Sequence, residues 1–189
     1  MRIIAGKAKG YNIKVPQGEV RPTQDRVREA LFNIIGPIIE GARVLDLYCG
    51  SGSVGLEALS RGAASARMVD AARQSCAMAR TNLEKSKLIG GSVVQSDCLQ
   101  FVKRDMGKYD IIFADPPYAK AIGDRDMIAE LMTDRLHELL ADDGYFIAEA
   151  QLGYGVGDAH QRDFPGWKLV DTRSYGGNTI LFYQTDSPQ

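Results

Sequence analysis

The chain is poor in the residues that staple small domains or hold metals. Of its 189 residues three are cysteine (Cys49, Cys76 and Cys98) and two are histidine (His137 and His160). Odd in number and without paired spacing, the cysteines support neither a disulfide framework nor a zinc site, and no metal ligand set is expected. Long apolar runs are missing too. Although 44% of the residues are hydrophobic, no stretch approaches the roughly 20 residues of a membrane span. The N-terminal MRIIAGKAKG has no apolar segment long enough for a signal peptide. The expectation is a cytoplasmic protein with no membrane partner. Repeats and low-complexity segments are also lacking.

The net charge of −1 conceals an asymmetry. Residues 1–28 carry seven basic side chains against two acidic ones, a local balance of +5, while the remainder carries −6. A basic arm on a mildly acidic body suits an anionic partner, because attraction to phosphates depends on the local cluster and not on the global sum. A solvated surface segment is the plainer alternative.

At this length one substantial core is expected, a single domain over residues 1–189. Residues 1–22 read as a basic hairpin and linker, with RIIA and YNIKV as short strands. From Thr23, placed to cap a first turn, Val27, Ala30, Leu31, Ile34 and Ile38 recur at helical spacing, leaving Arg26, Arg28 and Glu29 on the outer side. Strands and helices then alternate: strands at 43–48, 66–70, 92–95, 109–114 and 145–150, and helices at 53–61, 71–87, 98–104 and 127–140. That rhythm gives a doubly wound, mostly parallel α/β sheet of Rossmann-like type. The tail departs from it. Two strands joined by Tyr-Gly-Gly-Asn, with no helix between, make an antiparallel C-terminal hairpin.

Ligands of such sheets bind beyond the carboxyl ends of the strands. The turn VLDLYCGSGSVG, residues 44–55, lies there, and its glycines, Gly50 and Gly52 among them, allow a tight turn and expose helix N–H groups. Alone, the glycine pattern also fits a dinucleotide fingerprint. Three acids decide against that. Asp46 would repel a pyrophosphate but suits the ammonium of an amino-acid-bearing cofactor. Asp70 is placed for two ribose hydroxyls, and Asp97, with the Cys98 N–H beside it, for an adenine amine. Singly each acid could be a helix cap; together they describe a pocket for S-adenosyl-L-methionine.

A second motif, Asp115-Pro116-Pro117-Tyr118, follows the fourth strand. The consecutive prolines stiffen it and leave carbonyls free to accept. The Asp115 carboxylate and the Pro116 carbonyl can each take one N–H of a planar amine, while Tyr118 offers a ring for stacking. These three are the candidate catalytic residues. The motif does not by itself separate guanine N2 from adenine N6, cytosine N4 or a glutamine amide.

On these residues the chain resembles class I S-adenosylmethionine-dependent methyltransferases. MRIIAGKAKG, RPTQDRVREALFNII, LDLYCGSGSVGLEALSRGA, DPPY and YGGNTILFY together resemble the RsmD family, over nearly the full length. That resemblance implies methylation of a guanine N2 in small-subunit (16S) ribosomal RNA, with the ribosomal RNA or a precursor particle as partner. A small domain of this kind needs no partner to complete its core, and a monomer is expected. It also implies that the arm and the Arg21–Glu29 block grip RNA, through Arg2, Lys7, Lys9, Arg21, Thr23, Arg26 and Arg28. Tyr48-Cys49 stand where the family usually has Phe-Ala, Asp70 where it favours Glu, and Ala72 where a polar residue is usual. Rival readings are an NAD-dependent oxidoreductase and a non-catalytic RNA-binding factor.

Overall fold

A computed structural model describes residues 1–15, 22–117, 125–151, 163–175 and 177–186. The expected linker at 16–21, with Arg21, and Tyr118 lie outside the described residues, as do the side chains of Thr23 and Arg26. The chain forms two compact units, Met1–Cys98 and Leu99–Gln189.

In the first unit, helix α1 (Pro22–Ile35) runs into a short 3-10 turn, Gly36–Ile39, begun at Pro37. Three parallel strands follow, β1 (Arg43–Leu47), β2 (Ser65–Asp70) and β3 (Gly91–Gln95), in the order β3-β2-β1. Helices α2 (Ser53–Ser60) and α3 (Arg73–Ser86) connect them, and α4 opens at Cys98. The apolar β1 sequence is explained by its burial: Val44, Leu45 and Leu47 are all enclosed, as a strand covered on both faces requires.

The second unit begins with the rest of α4 (Cys98–Arg104) and β4 (Tyr109–Ala114). It continues through α5 (Met127–Leu131), α6 (Asp134–Leu139), β5 (Leu140–Gln151), β6 (Trp167–Tyr175) and β7 (Asn178–Thr185). β5 is parallel to β4, whereas β7 pairs antiparallel with both β5 and β6. The last two strands are the expected hairpin, and Asn178 of its turn donates to Glu149 Oε1 at 2.6 Å. The chain is thus of mixed α/β class, with seven mostly parallel strands among the described residues.

Three expectations need correction. The single helix over 127–140 is two short ones, because Thr133 caps a new helix by accepting the Leu136 N–H. At the front, Pro22 opens α1, so Thr23 is its second residue and does not precede it. The arm makes only one isolated bridge, Arg2 to Asn12, around the turn in which Gly10 N–H meets the Ile3 carbonyl at 2.9 Å.

The arm forms no longer ladder because its N–H groups go to helix α2. Glu57, fully buried, accepts from Ile4 at 2.8 Å and Ala5 at 3.0 Å. Ser60 Oγ accepts the Ala8 N–H at 2.9 Å, and the Ser60 carbonyl accepts Lys7 at 2.7 Å. Gly6 permits this approach: it sits at φ +81°, and a Cβ there would lie 1.8 Å from the Ser60 carbonyl oxygen. Gly6→Ala must therefore lift the arm from α2. Left-handed strain and overpacking together should cost about 2–4 kcal/mol, read as a lowered midpoint in thermal unfolding.

Candidate active site

Strand β1 ends at Leu47, and the chain turns back through two residues in the left-handed region, Tyr48 at φ 60° and Gly50 at φ 53°. Gly52, at φ 82°, precedes the first residue of α2. The glycines differ in purpose. A Cβ on Gly52 would meet Met68 Sδ at 2.9 Å, and one on Gly55 would meet Met68 Cγ at 2.6 Å, so both serve close packing of α2 on β2. A Cβ on Gly50 would meet nothing within 4 Å. Its open side is where a ligand can reach the backbone.

The expected acids converge on this turn. Asp46 is only 1% exposed and accepts the Gly55 N–H through Oδ2 at 2.9 Å. Burial lifts its pKa to about 7, the Gly55 bond opposing this and the nearby Asp70 charge adding to it. Asp70 Oδ2 accepts the Gly50 N–H at 2.9 Å, and its Oδ1 accepts from Ala72 at 2.8 Å. Each of those oxygens keeps a second lone pair for a hydroxyl. Where the family favours glutamate, the shorter Asp70 spans its own loop and fixes Gly50.

Cys98 is buried, and its Sγ takes the Tyr48 N–H at 3.3 Å. Burial pushes its thiol up to about 12, so it is an inert packing group. As the first residue of α4, it contributes one of the helix-initial N–H groups that no preceding carbonyl satisfies. Asp97, exposed, stands immediately before it. The structure thus ties Asp46, Asp70 and Cys98 to the turn that carries Gly50 and Gly52, with Asp97 next to Cys98 in the chain.

These residues fit S-adenosylmethionine. A buried carboxylate whose pKa is raised lacks a positive partner, and an ammonium supplies one. Asp70 beside it adds a second negative charge, which disfavours a pyrophosphate and weighs against the dinucleotide reading. No group of three or more His, Cys, Asp or Glu among the described residues is arranged to hold a metal.

Of the residues expected to touch RNA, Arg2, Lys7 and Lys9 are exposed. Arg28 is not. It is 3% exposed, donating to the Arg2 carbonyl at 2.6 Å and Asp25 at 3.0 Å, with its Nε 3.6 Å from Glu57. Glu57 also binds Arg61 at 2.7 Å. The buried stripe of α1 is accordingly Val27, Arg28, Leu31, Phe32 and Ile35, whereas Ile34 and Ile38 are exposed. Two carboxylates and a carbonyl offset the buried charge of Arg28, although its Nε makes no hydrogen bond among the described residues. Its place is under the arm, where it exposes little surface to a phosphate.

Two residues escaped the sequence reading. Glu57 is a lone acid amid the apolar GLEALS, which was the available signal. Asn82, fully buried in α3, accepts the Lys14 N–H at 2.9 Å and donates to the Lys14 and Ser51 carbonyls at 2.9 and 3.0 Å. It ties the arm to the donor turn. Asn82→Ala leaves three backbone groups unsatisfied and should cost about 2–4 kcal/mol. Hydrogen exchange at the Lys14 amide should accelerate more than at the β1 amides; equal protection would deny the link.

In the second unit, Asp115 follows β4 directly and is half-buried, Pro116 is buried and Pro117 exposed. β4 is enclosed along most of its length, so the Asp-Pro-Pro segment leaves a rigid strand end.

Comparison with known proteins agrees. Residues 1–184 match the family described as conserved hypothetical protein 95. The ribosomal RNA small subunit methyltransferase D of Escherichia coli K12 is 36% identical over 188 residues, 99% of this chain and 91% of its own. The chain belongs to this methyltransferase family. A solved Escherichia coli structure named for a methyltransferase, yhhF, superposes with a TM-score of 0.83 at 33% identity, covering 100% of this chain and 99% of that one. A Thermus thermophilus protein of hypothetical function gives 0.75 at 28%, covering 96% and 98%. The methyl donor is S-adenosyl-L-methionine, in keeping with the acid-lined turn. No helix among the described residues is long and apolar enough to cross a membrane.

Proposed function

We propose that this protein methylates the exocyclic N2 amine of a guanine in 16S ribosomal RNA, acting as a monomer in the cytoplasm. One observation carries the substrate class: similarity to the Escherichia coli small-subunit methyltransferase spans 99% of the chain, so it takes in the basic arm as well as the donor turn and Asp-Pro-Pro-Tyr. A protein sharing only the donor turn would share only the donor.

When bound, S-adenosylmethionine supplies an electrophilic methyl group on a sulfonium. The chain's residues do the rest by position. Asp46 pairs with the ammonium, Asp70 with ribose hydroxyls, and Asp97 with the Cys98 N–H holds the adenine. Asp115 and the Pro116 carbonyl accept the two N–H groups of the target amine, which orients its lone pair, and Tyr118 stacks on the base. Such orientation is worth several kcal/mol as effective molarity. No strong base is needed, since the methylated amine sheds its proton readily. The target guanine must be displayed by a loop or turned out of its stack.

The test is incubation with labelled S-adenosylmethionine and small-subunit particles from cells lacking the enzyme. Label in ribonuclease-sensitive small-subunit RNA is expected; label in protein would redirect the substrate to a glutamine amide.

A further inference from the structure

The arm and helix α1 enclose a cleft of about 350 Å³ lined by Arg2, Ile3, Ile4, Lys9, Gly10, Asp25 and Glu29. That lies within the roughly 300–1,000 Å³ of small-ligand sites. Its lining includes neither the donor turn nor Asp115. Its apolar wall is the half-buried Ile4, beside Ile3, whose side chain is packed in the core with Leu56 and Met68. Asp25 is engaged by Arg28 at 3.0 Å. Among the described residues, the exposed side chains of Arg2, Lys9 and Glu29 have no ion-pair or hydrogen-bond partner. The cleft therefore offers two free cations, one free carboxylate and an apolar base between them.

That set defines a ligand. A phosphate pairs with Arg2 and Lys9, and a planar base lies on Ile4 with its edge toward Glu29. An ionised carboxylate only accepts, through two oxygens. Guanine is the one RNA base with two adjacent donors on its Watson–Crick edge, N1–H and the N2 amine. Adenine and cytosine each set an amine beside an acceptor, which a carboxylate repels, and uracil offers one N–H between two carbonyls.

We infer that this cleft is a second nucleotide subsite, which takes a guanine of the RNA other than the one methylated and reads it through Glu29. The inference rests on the RNA reading above. It assigns Glu29 of α1 a specificity role that its negative charge, beside a basic arm, would not otherwise suggest.

The test is binding of single-stranded heptauridine carrying one guanosine, one inosine or one adenosine, measured by fluorescence anisotropy. The wild-type protein should prefer guanosine to inosine, which lacks only the N2 amine, by about tenfold, within the range of one bidentate base contact. Because Asp115 also accepts an N2 amine at the target site, the two sites are separated in an Asp115→Ala background: there a guanosine preference should persist, and adding Glu29→Gln should abolish it. Arg2→Ala with Lys9→Ala should weaken all three oligomers alike and reduce the logarithmic salt slope by about 0.7 for each phosphate left without its cation. An Asp115→Ala, Glu29→Gln protein that keeps the guanosine preference of Asp115→Ala, or binds every oligomer more tightly by one common factor, overturns the subsite. So does loss of the preference in Asp115→Ala, which would place the guanine at the target site. Wild-type protein that methylates ribosomal RNA yet shows no guanosine preference overturns the subsite alone. Protein that neither binds an oligomer nor methylates ribosomal RNA overturns the RNA reading with it.

Discussion

Asp115→Ala is expected to slow single-turnover methyl transfer by about 10²–10³-fold, the usual effect of removing one preorganised hydrogen-bonding group, while leaving the dissociation constant for S-adenosylmethionine unchanged. The reasoning begins at strand β4. Tyr109–Ala114 is almost wholly buried, and two prolines follow Asp115, so the carboxylate is held by a stiff backbone. Its work is to fix one N–H of the amine so that the nitrogen lone pair faces the methyl group. Alanine removes the acceptor and nothing from the donor turn, which belongs to the first unit. Asp115→Asn keeps one acceptor oxygen and should recover much of the rate. A uniform loss in both variants, or a weakened donor affinity, would assign Asp115 a structural part.

The second large effect is a pH dependence of donor binding. Burial raises Asp46 to a pKa of about 7, so near neutrality the free protein holds it half protonated. Only the ionised form pairs with an ammonium. Donor affinity should therefore fall as pH drops below about 7, approaching tenfold per unit, and binding at pH 7 should release about half a proton. Calorimetry in buffers of different ionisation enthalpy measures both. The sign for stability is opposite. A carboxyl whose folded pKa exceeds its unfolded value of 3.8 contributes most below pH 3.8, and that contribution is lost as pH rises through 7. Asp46→Asn should thus melt higher than wild type at pH 8 while binding the donor weakly at every pH. A pH-independent wild-type affinity would sink the assignment of Asp46 to the ammonium.

Local chemistry made the strands, the donor turn and the Asp-Pro-Pro-Tyr segment legible, since each is a run of neighbours with a period or a fixed spacing. What stayed hidden was long-range pairing. Arg28 looked like a surface cation because its partners, Glu57 and the Arg2 carbonyl, lie 29 and 26 residues away. Its inclusion shifts the buried stripe of α1 by one position. Asn82 reaches Lys14 across 68 residues, and no local pattern announces a buried amide of that kind. The break at Thr133 was readable: a threonine followed by an aspartate in mid-helix is an N-terminal signal. The arm failed to form two full strands because Glu57 and Ser60 claim its backbone donors.

These pairings bear on function. The residues that hold the arm, Glu57 and Ser60, lie on α2, the helix that opens at the donor turn, and Asn82 bonds both Lys14 and Ser51. The basic arm and the donor turn therefore share one scaffold. If the proposed subsite holds, the cleft between arm and α1 adds a carboxylate able to select a base, where the basic residues alone would select only charge.

The central claim is the identity of the methylated atom. Small-subunit RNA from particles treated with this protein and isotopically labelled S-adenosylmethionine can be digested to nucleosides and resolved by mass spectrometry. The account predicts one labelled product, N2-methylguanosine; a label on adenine N6, cytosine N4 or any other nitrogen would contradict it.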